Sequence, residues 1–457
     1  MPTRSPNTHL KALLDERSLP YDTVARTVRR VAAEAGQTLR TNRSTVEHWL
    51  CGAQPTGATP RYLAEALSRL LGRLVTVDAL GLGSPTGGPP DDRLGLSLGP
   101  DPVETLTLIG RADVNRRSFL STSAYSVAAA ALPLESLRDH AGRAAAVRSG
   151  AVAGLAEAAA VRDMVSAFTE LDERHGGAHG RYALAQYLTS EVAPLCRGRF
   201  RTEDARAEVL SAAASGVHLA GWKAYDAGEQ GLAQRYFLQC FALADESRIL
   251  GHEAFVMRTM AHQGMRIHPV QHCLALAETS LARVKGRVAP PVEALFRITH
   301  AYALTKSGGR RQAAAVIDQA HACLEADTGD PPPFWAMAWG PIGPTVHNRT
   351  AKALSALGDP RNAAQYYARA AAGRPADTYG RIIALNLADQ AKSEAAQGSI
   401  EQACVTWHRA LDHMDGIASA RISKVLAGLR RDLARYRTRG PRCVTEIDER
   451  ARSLLTV

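Results

Sequence analysis

Paired cysteines are missing from this chain. Its seven cysteines (Cys51, Cys196, Cys240, Cys273, Cys323, Cys404 and Cys443) are odd in number, scattered, and form no C-x-x-C pair. That excludes a disulfide framework and a thiolate zinc site, and it points to a reduced, cytoplasmic setting in which each cysteine is a small buried apolar residue on a helix. Aromatics amount to only 5% of residues, while Ala and Leu dominate, so packed helices are expected rather than sheets. No P-loop, nucleophile elbow or dinucleotide-binding glycine pattern occurs, so no catalytic residue and no cofactor are assigned and an enzyme is not expected. His268 and His272 stand one helical turn apart with His262 and Cys273 nearby. No carboxylate or further His stands at helical spacing beside them, so they read as ordinary core or surface histidines and no metal site is expected.

What is present is length, basic charge and helical pattern. At 457 residues the chain exceeds one ordinary core, so two or more domains are expected. The net charge of +10, carried mostly by Arg, suits a phosphate-rich partner, although a genome rich in G and C produces the same Arg excess.

The most informative segment runs from Arg40 to Pro55. Val46, Trp49 and Leu50 fall at i, i+3 and i+4 and define a buried face, leaving Arg43, Ser44, Glu47 and His48 on the other side of a short helix. Gly52 suits the left-handed residue that ends such a helix, and Pro55 prevents it resuming. Leu10, Leu13 and Leu14 predict a first helix ending near Arg17. Pro20 and Asp22 open a second, with Val24, Ala25, Val28 and Val31 as its stripe and Gly36 at its close. Tyr62, Leu63, Ala66, Leu67, Leu70 and Leu71 supply a fourth. The order, and the pattern Ser-Thr-Val-x-x-Trp-x-x-Gly-x-x-Pro, resemble the phage-repressor-like (XRE-type) helix-turn-helix family, and within it actinobacterial regulators with helical repeats behind the DNA-binding unit. The resemblance implies that Arg43, Ser44, Thr45 and His48 face base edges in a major groove, that Asn42 and Glu47 belong to the same DNA-binding set, and that Val46, Trp49 and Leu50 hold the helix to its core. The chain departs from the family's tight turn: Arg26 to Ala35 continue the second helix, and Gly36 to Thr41 make a longer connection.

From 81 to 113, Gly81, Gly83, Pro85, Gly87, Gly88, Pro89, Pro90, Gly95, Gly99, Pro100 and Pro102 predict a flexible linker. Asn115 to Leu120 then carry Arg116-Arg117 ahead of an Ala-rich apolar run from Ala124 to Leu134, which looks like a twin-arginine export signal. It lies more than a hundred residues into the chain, no methionine separates Met1 from Met164, and the run is shorter than a membrane-spanning helix of about 20 residues. It is therefore read as an apolar connecting helix over 114–140, and regulators of the resembled family often carry such a pseudo-signal at this junction.

The remainder, 141–457, contains a repeat. Gly228, Ala233, Phe237 and Cys240 share offsets with His268, Cys273, Ala277 and Ser280, with Gly308, Ala313, Ile317 and Ala320, with Gly358, Ala363, Tyr367 and Ala370, and with Gly398, Ala403, Trp407 and Ala410. Each step is 40 residues except one of 50. A Gly at the turn, a small residue at the helix crossing, a bulky one a turn later and a second small residue describe a helical hairpin. These offsets, with Pro375 after Ala370, resemble the tetratricopeptide repeat, which implies a helical solenoid. The step of 50 comes from an insertion, Asp330 to Pro341, holding two of the five Trp residues. Phe334, Trp335 and Trp339 are candidates for partner binding on the concave face, and equally for plugging that groove. Near the C-terminus Arg430, Arg431, Arg435, Arg437, Arg439 and Arg442 crowd one region with only Asp432 opposing; such a cluster suits contact with DNA phosphate, with a solvated last helix the commoner explanation.

The expected protein is all-α: a helix-turn-helix domain (1–80), a linker (81–113), a connecting helix (114–140) and a solenoid (141–457). It is expected to act as a homodimeric transcriptional regulator that binds double-stranded DNA and a peptide or protein effector, with no stable membrane insertion. Two rivals remain: a repeat-type adaptor without DNA binding, and an exported or membrane-associated protein using the twin-arginine-like segment.

Overall fold

The computed structural model describes residues 5–34, 37–73, 75–82, 95–96, 98, 101–114, 152–177, 180–267, 270–326, 329–417, 419–434 and 442–456. The fold is all-α; the described strands are the two-residue pair Val152–Ala153 and Arg199–Phe200, which run parallel. The predicted connecting helix over 114–140, with its twin-arginine-like motif, lies beyond Val114 outside the described residues.

The N-terminal unit consists of Thr8–Asp15 (α1), Tyr21–Glu34 (α2), Arg43–Leu50 (α3) and Thr59–Leu71 (α4). Leu10, Val24, Val28, Val31, Val46, Trp49, Leu63 and Leu67 share one core. Asn7 ties three parts of it together: its side chain accepts from Leu10 N–H and donates to the Leu80 carbonyl, and its own N–H donates to the Leu50 carbonyl, each at 2.8 Å. Residues 75–82 fold back so that Val75, Leu80 and Leu82 complete the core. Arg69, buried in α4, grips Glu34 at the end of α2 through two hydrogen bonds of 2.7 and 2.8 Å and also holds Glu65.

The stretch expected to be a linker ends in structure. Asp101 caps Pro102–Val114 (α5), and Val103, Leu106 and Ile109 are buried in the core of the C-terminal part. Leu155–His175 (α6), Arg181–Tyr187 (α7) and Ala193–Cys196 (α8) follow, with a π-helical turn at Leu188–Val192 between the last two.

The described residues then form helical hairpins: Glu203–Asp226 and Gln230–Ser247 (α9, α10), His252–Ile267 and Val270–Val284 (α11, α12), Pro290–Ser307 and Arg310–Glu325 (α13, α14), Ile342–Leu357 and Pro360–Ala372 (α15, α16), Gly380–Ala396 and Ile400–Asp412 (α17, α18), and Ala420–Leu433 and Arg442–Thr456 (α19, α20). The sequence anchors sit where helices meet. Ala233, Phe237, Cys240, Cys273, Ala277, Ser280, Ala313, Ile317, Ala320, Ala363, Tyr367, Ala370, Ala403, Trp407 and Ala410 are all buried; His268 lies outside the described residues. Gly228, Gly308, Gly358 and Gly398 each adopt φ between 82° and 92°. After each, the next N–H reaches back five residues: Glu229 to Ala224, Gly309 to Leu304, Asp359 to Leu354 and Ser399 to Glu394, at 2.9–3.1 Å. This closure satisfies helix-end carbonyls and needs a left-handed residue. Gly358→Ala should therefore destabilise the protein by about 1 kcal/mol, because a Cβ at φ +82° is strained although nothing lies within 4 Å of it. Urea titration reads this directly, and an unchanged midpoint rules out the strain.

Polar side chains join one hairpin to the next at nearly one repeat length. Ser211 meets His252 (3.0 Å), His218 meets Thr259 (3.1 Å) and Arg258 donates to Thr299 (2.9 Å), each pair 41 residues apart, and Asn348 donates to Asn386. The helix α6 links the first hairpin to the fifth: it packs on α9 and touches α17. Asp172 on α6 accepts from Lys223 on α9 (3.2 Å) and from Arg381 on α17 (2.6 Å); Arg381 also reaches Asp226 (3.1 Å), which Arg421 on α19 approaches at 3.5 Å.

Candidate nucleic-acid interface

The helix α3 is built to be rigid at the end it exposes. Asn42, in extended backbone, accepts from Thr45 N–H at 2.9 Å, and the Thr45 hydroxyl lies 3.3 Å from Asn42 N–H and donates to Asn42 Oδ1 at 2.9 Å, a reciprocal cap. Val46 and Trp49 are buried beneath. At the other end Gly52, at φ +89°, turns the chain, with Ala53 N–H donating to the His48 carbonyl at 2.9 Å. The connection from α2 is pinned as well: Thr41 is buried and Leu39 packs on the core.

This geometry divides the sequence-predicted DNA residues by role. Arg43, Ser44 and His48 are exposed. Asn42 and Thr45 spend their polar atoms largely on each other, so they hold the helix end. Glu47 takes Arg43 in an ion pair of 2.9 Å; that hydrogen bond and charge, helped by Asp22, raise the pKa of Arg43. Arg40 stands exposed just before the cap, and α2 exposes Arg26, Arg29 and Arg30. Residues Arg30, Glu34 and Arg69 face Tyr225, Asp226, Arg421 and Lys424 across a cavity of about 310 Å³; α2 and α4 supply the N-terminal unit's side of that cavity, and no α3 residue lines it.

The predicted partner residues lie elsewhere. Trp335 is 2% exposed, stacks on His252 and abuts Phe255. Trp339 is half-buried against Trp222 and His262, with the Arg258 and Arg349 guanidinium groups 4.2 and 4.9 Å from its ring centre. Phe334, also half-buried, packs on the core containing α9 and α10. Trp335 and Trp339 thus face the protein's own side chains, while Phe334, with Met337 and Ala338, also lines a cavity of about 260 Å³ shared with α6 and α9.

Sequence reasoning missed the buried polar groups around them. Arg258 is fully buried, and burial, then the neighbouring Arg349, push its pKa well down. The spacing of 41 between His218 and Thr259, and between Arg258 and Thr299, was the signal available. Four cysteines correct the expectation that each is buried: Cys51 is exposed at the end of α3, and Cys196, Cys323 and Cys443 are half-buried. Burial pushes the Cys196 and Cys273 thiols up to about 12. Of the C-terminal arginines, Arg430 pairs with Asp448 and Arg442 with Glu446, while Arg435, Arg437 and Arg439 lie outside the described residues. Among the described residues, no group of three or more His, Cys, Asp or Glu side chains is arranged to hold a metal ion, and no helix is long and apolar enough to cross a membrane.

No curated protein matches this chain. A family model described as the SP15 N-terminal domain matches residues 10–83, the stretch that coincides with the unit of α1 to α4 and the turn at Asp78–Leu80.

Proposed function

We propose that this protein is a DNA-binding transcriptional regulator of the helix-turn-helix type, in which α3 enters the major groove and the hairpin stack receives a second subunit or an effector. One observation carries the reading. The helix α3 has a sealed apolar face and a rigidly capped N-terminal end that presents Arg43, Ser44 and His48 to solvent, the side-chain types that hydrogen-bond base edges. Arg26 and Arg40 are placed to serve as phosphate contacts, whose strength falls steeply with salt. The Arg43–Glu47 pair is exposed, and an exposed pair contributes little, so Arg43 can exchange Glu47 for a base or phosphate. Reading two half-sites requires pairing, so a homodimer is proposed, with the hairpins as its surface. A peptide or protein effector would have to displace Trp339 or bind beside it.

The test uses the full chain and a DNA site obtained by selection from random sequence. Arg43→Ala with His48→Ala should weaken specific binding by about tenfold or more at fixed salt, each base contact being worth roughly 1–3 kcal/mol, without altering the melting temperature. Equal affinity of the variant and the parent for the selected site removes α3 as the reader.

A further inference from the structure

The inner side of the last three hairpins holds a cavity of about 260 Å³ between α15, α17 and α19. Lys352, Lys392, Arg421, Lys424 and Arg431 line it against one carboxylate, Asp389. Asp389 is engaged by Lys392 at 3.7 Å, and Arg421 leans on Asp226 at 3.5 Å. Among the described residues, no carboxylate stands within ion-pair reach of Lys424 or Arg431. Lys352 and Lys392 are one repeat step apart, so successive hairpins each supply a cation to the wall of the cavity. Like charges gathered in a recess repel one another and focus a field that attracts an anion. Behind Asn348, which lines the cavity, the fully buried Asn386 accepts from Asn348 and keeps its own Nδ2 without an acceptor among the described residues.

Size and shape narrow the ligand. Ile382, Leu385 and Val425 form an apolar part of the wall, and a Cβ added at Gly428 would meet nothing within 4 Å, so the space there is open. The volume is just under the range of about 300–1,000 Å³ typical of small-molecule sites. We infer that this cavity binds a compact phosphorylated small molecule of the nucleotide class, its phosphates toward Lys424 and Arg431 and its ring against Ile382, Leu385 and Val425. The site stands on its own charges, apart from DNA binding; where both hold, the ligand is the effector.

Calorimetric titration of the full-length protein with ATP and with inorganic tripolyphosphate, without magnesium, tests this. Saturable one-to-one binding of ATP in the submillimolar range is expected, with tripolyphosphate weaker because it lacks the ring. Lys424→Gln with Arg431→Gln should weaken ATP binding at least tenfold at an unchanged melting temperature, and Gly428→Glu, which places a carboxylate in the open space, should abolish it. No saturable binding of either probe, or binding unaffected in both variants, overturns the site. Tripolyphosphate binding as tightly as ATP overturns the nucleotide assignment. A chain that fails to bind DNA yet binds ATP separates this result from the regulator reading.

Discussion

Arg381→Met is expected to destabilise the protein by about 3–5 kcal/mol, the cost of removing one partner from a buried ionic cluster. The Arg381 side chain is 1% exposed, and its two terminal nitrogens serve Asp172 (2.6 Å), Glu173 (2.8 Å) and Asp226 (3.1 Å). Burial opposes its charge, yet the three carboxylates hold its pKa well above the ordinary value. Asp226 is likewise disfavoured by burial, and Arg381 and Arg421 outweigh that to keep its pKa low. Taking Arg381 away leaves Lys223 and Arg421 to face three acids in a space closed to water. In a chain of this size the loss lowers the melting temperature by on the order of 10 °C. Adding Asp172→Asn and Asp226→Asn to Arg381→Met should recover part of it, because neutral amides need less compensation. Arg381→Lys, which keeps the charge but not the fork, should fall between. A melting temperature equal to the parent's in Arg381→Met rejects the link between the first and fifth hairpins through this residue.

That cluster was invisible in the sequence for a physical reason. Asp172 and Arg381 lie 209 residues apart, on a helix before the repeats and on the fifth hairpin, and a charge pair of that separation leaves no periodic trace. The hairpin anchors were legible because they are local and steric. A turn closed by a left-handed residue must be Gly at little cost, and a close helix crossing admits only Ala, Cys or Ser. Gly221, unremarked in the sequence, follows the same rule, since a Cβ there would lie 2.7 Å from the Phe237 ring. The helix α5 was lost for the opposite reason. Pro100, Pro102 and the glycines before them signal a break, but Pro at a first helical position is no obstacle, and Val103, Leu106 and Ile109 carried the periodicity that composition masked.

At α3 the sequence showed which side is buried and how the helix ends, but not which polar residues are free. Asn42 and Thr45 hydrogen-bond to each other, and Glu47 occupies Arg43; such choices depend on rotamers rather than on spacing. The prolines bounding 330–341 mark an insertion, but aromatic residues that bind a partner and those that plug a groove leave the same trace in a sequence. Trp335 stacks on His252 and Trp339 lies beneath two guanidinium groups, contacts set by tertiary packing, while Phe334 lines a cavity.

Two buried histidines beside that insertion make the protein acid-sensitive. Burial, then Arg258, lowers the pKa of His218 to about 3; burial, then His218, lowers that of His252 to about 3. Both are hydrogen-bonded neutral rings: His218 to Thr259 between Phe237 and Phe255, His252 to Ser211 under Trp335. Above an unfolded pKa of about 6.5 neither state binds the proton, so these residues leave stability unchanged. Below it the unfolded chain takes up a proton at each ring while the native state does so only near pH 3, and each costs about 1.4 kcal/mol per pH unit across that window. Between pH 7 and pH 5 the two together should remove about 4 kcal/mol. Buried carboxylates work in the other direction: burial raises the pKa of Asp113, Glu173, Glu229 and Glu246, so their protonation relieves a penalty as pH falls. The comparison that isolates the histidines is therefore parent against His218→Asn with His252→Asn, each followed by urea unfolding at pH 7 and pH 5. The parent should lose about 4 kcal/mol more than the variant over that interval, whatever the variant's absolute stability. Identical pH dependence in the two proteins would mean that these rings are protonated or solvated in the native state, and that the interior around Trp335 and Trp339 is open to water.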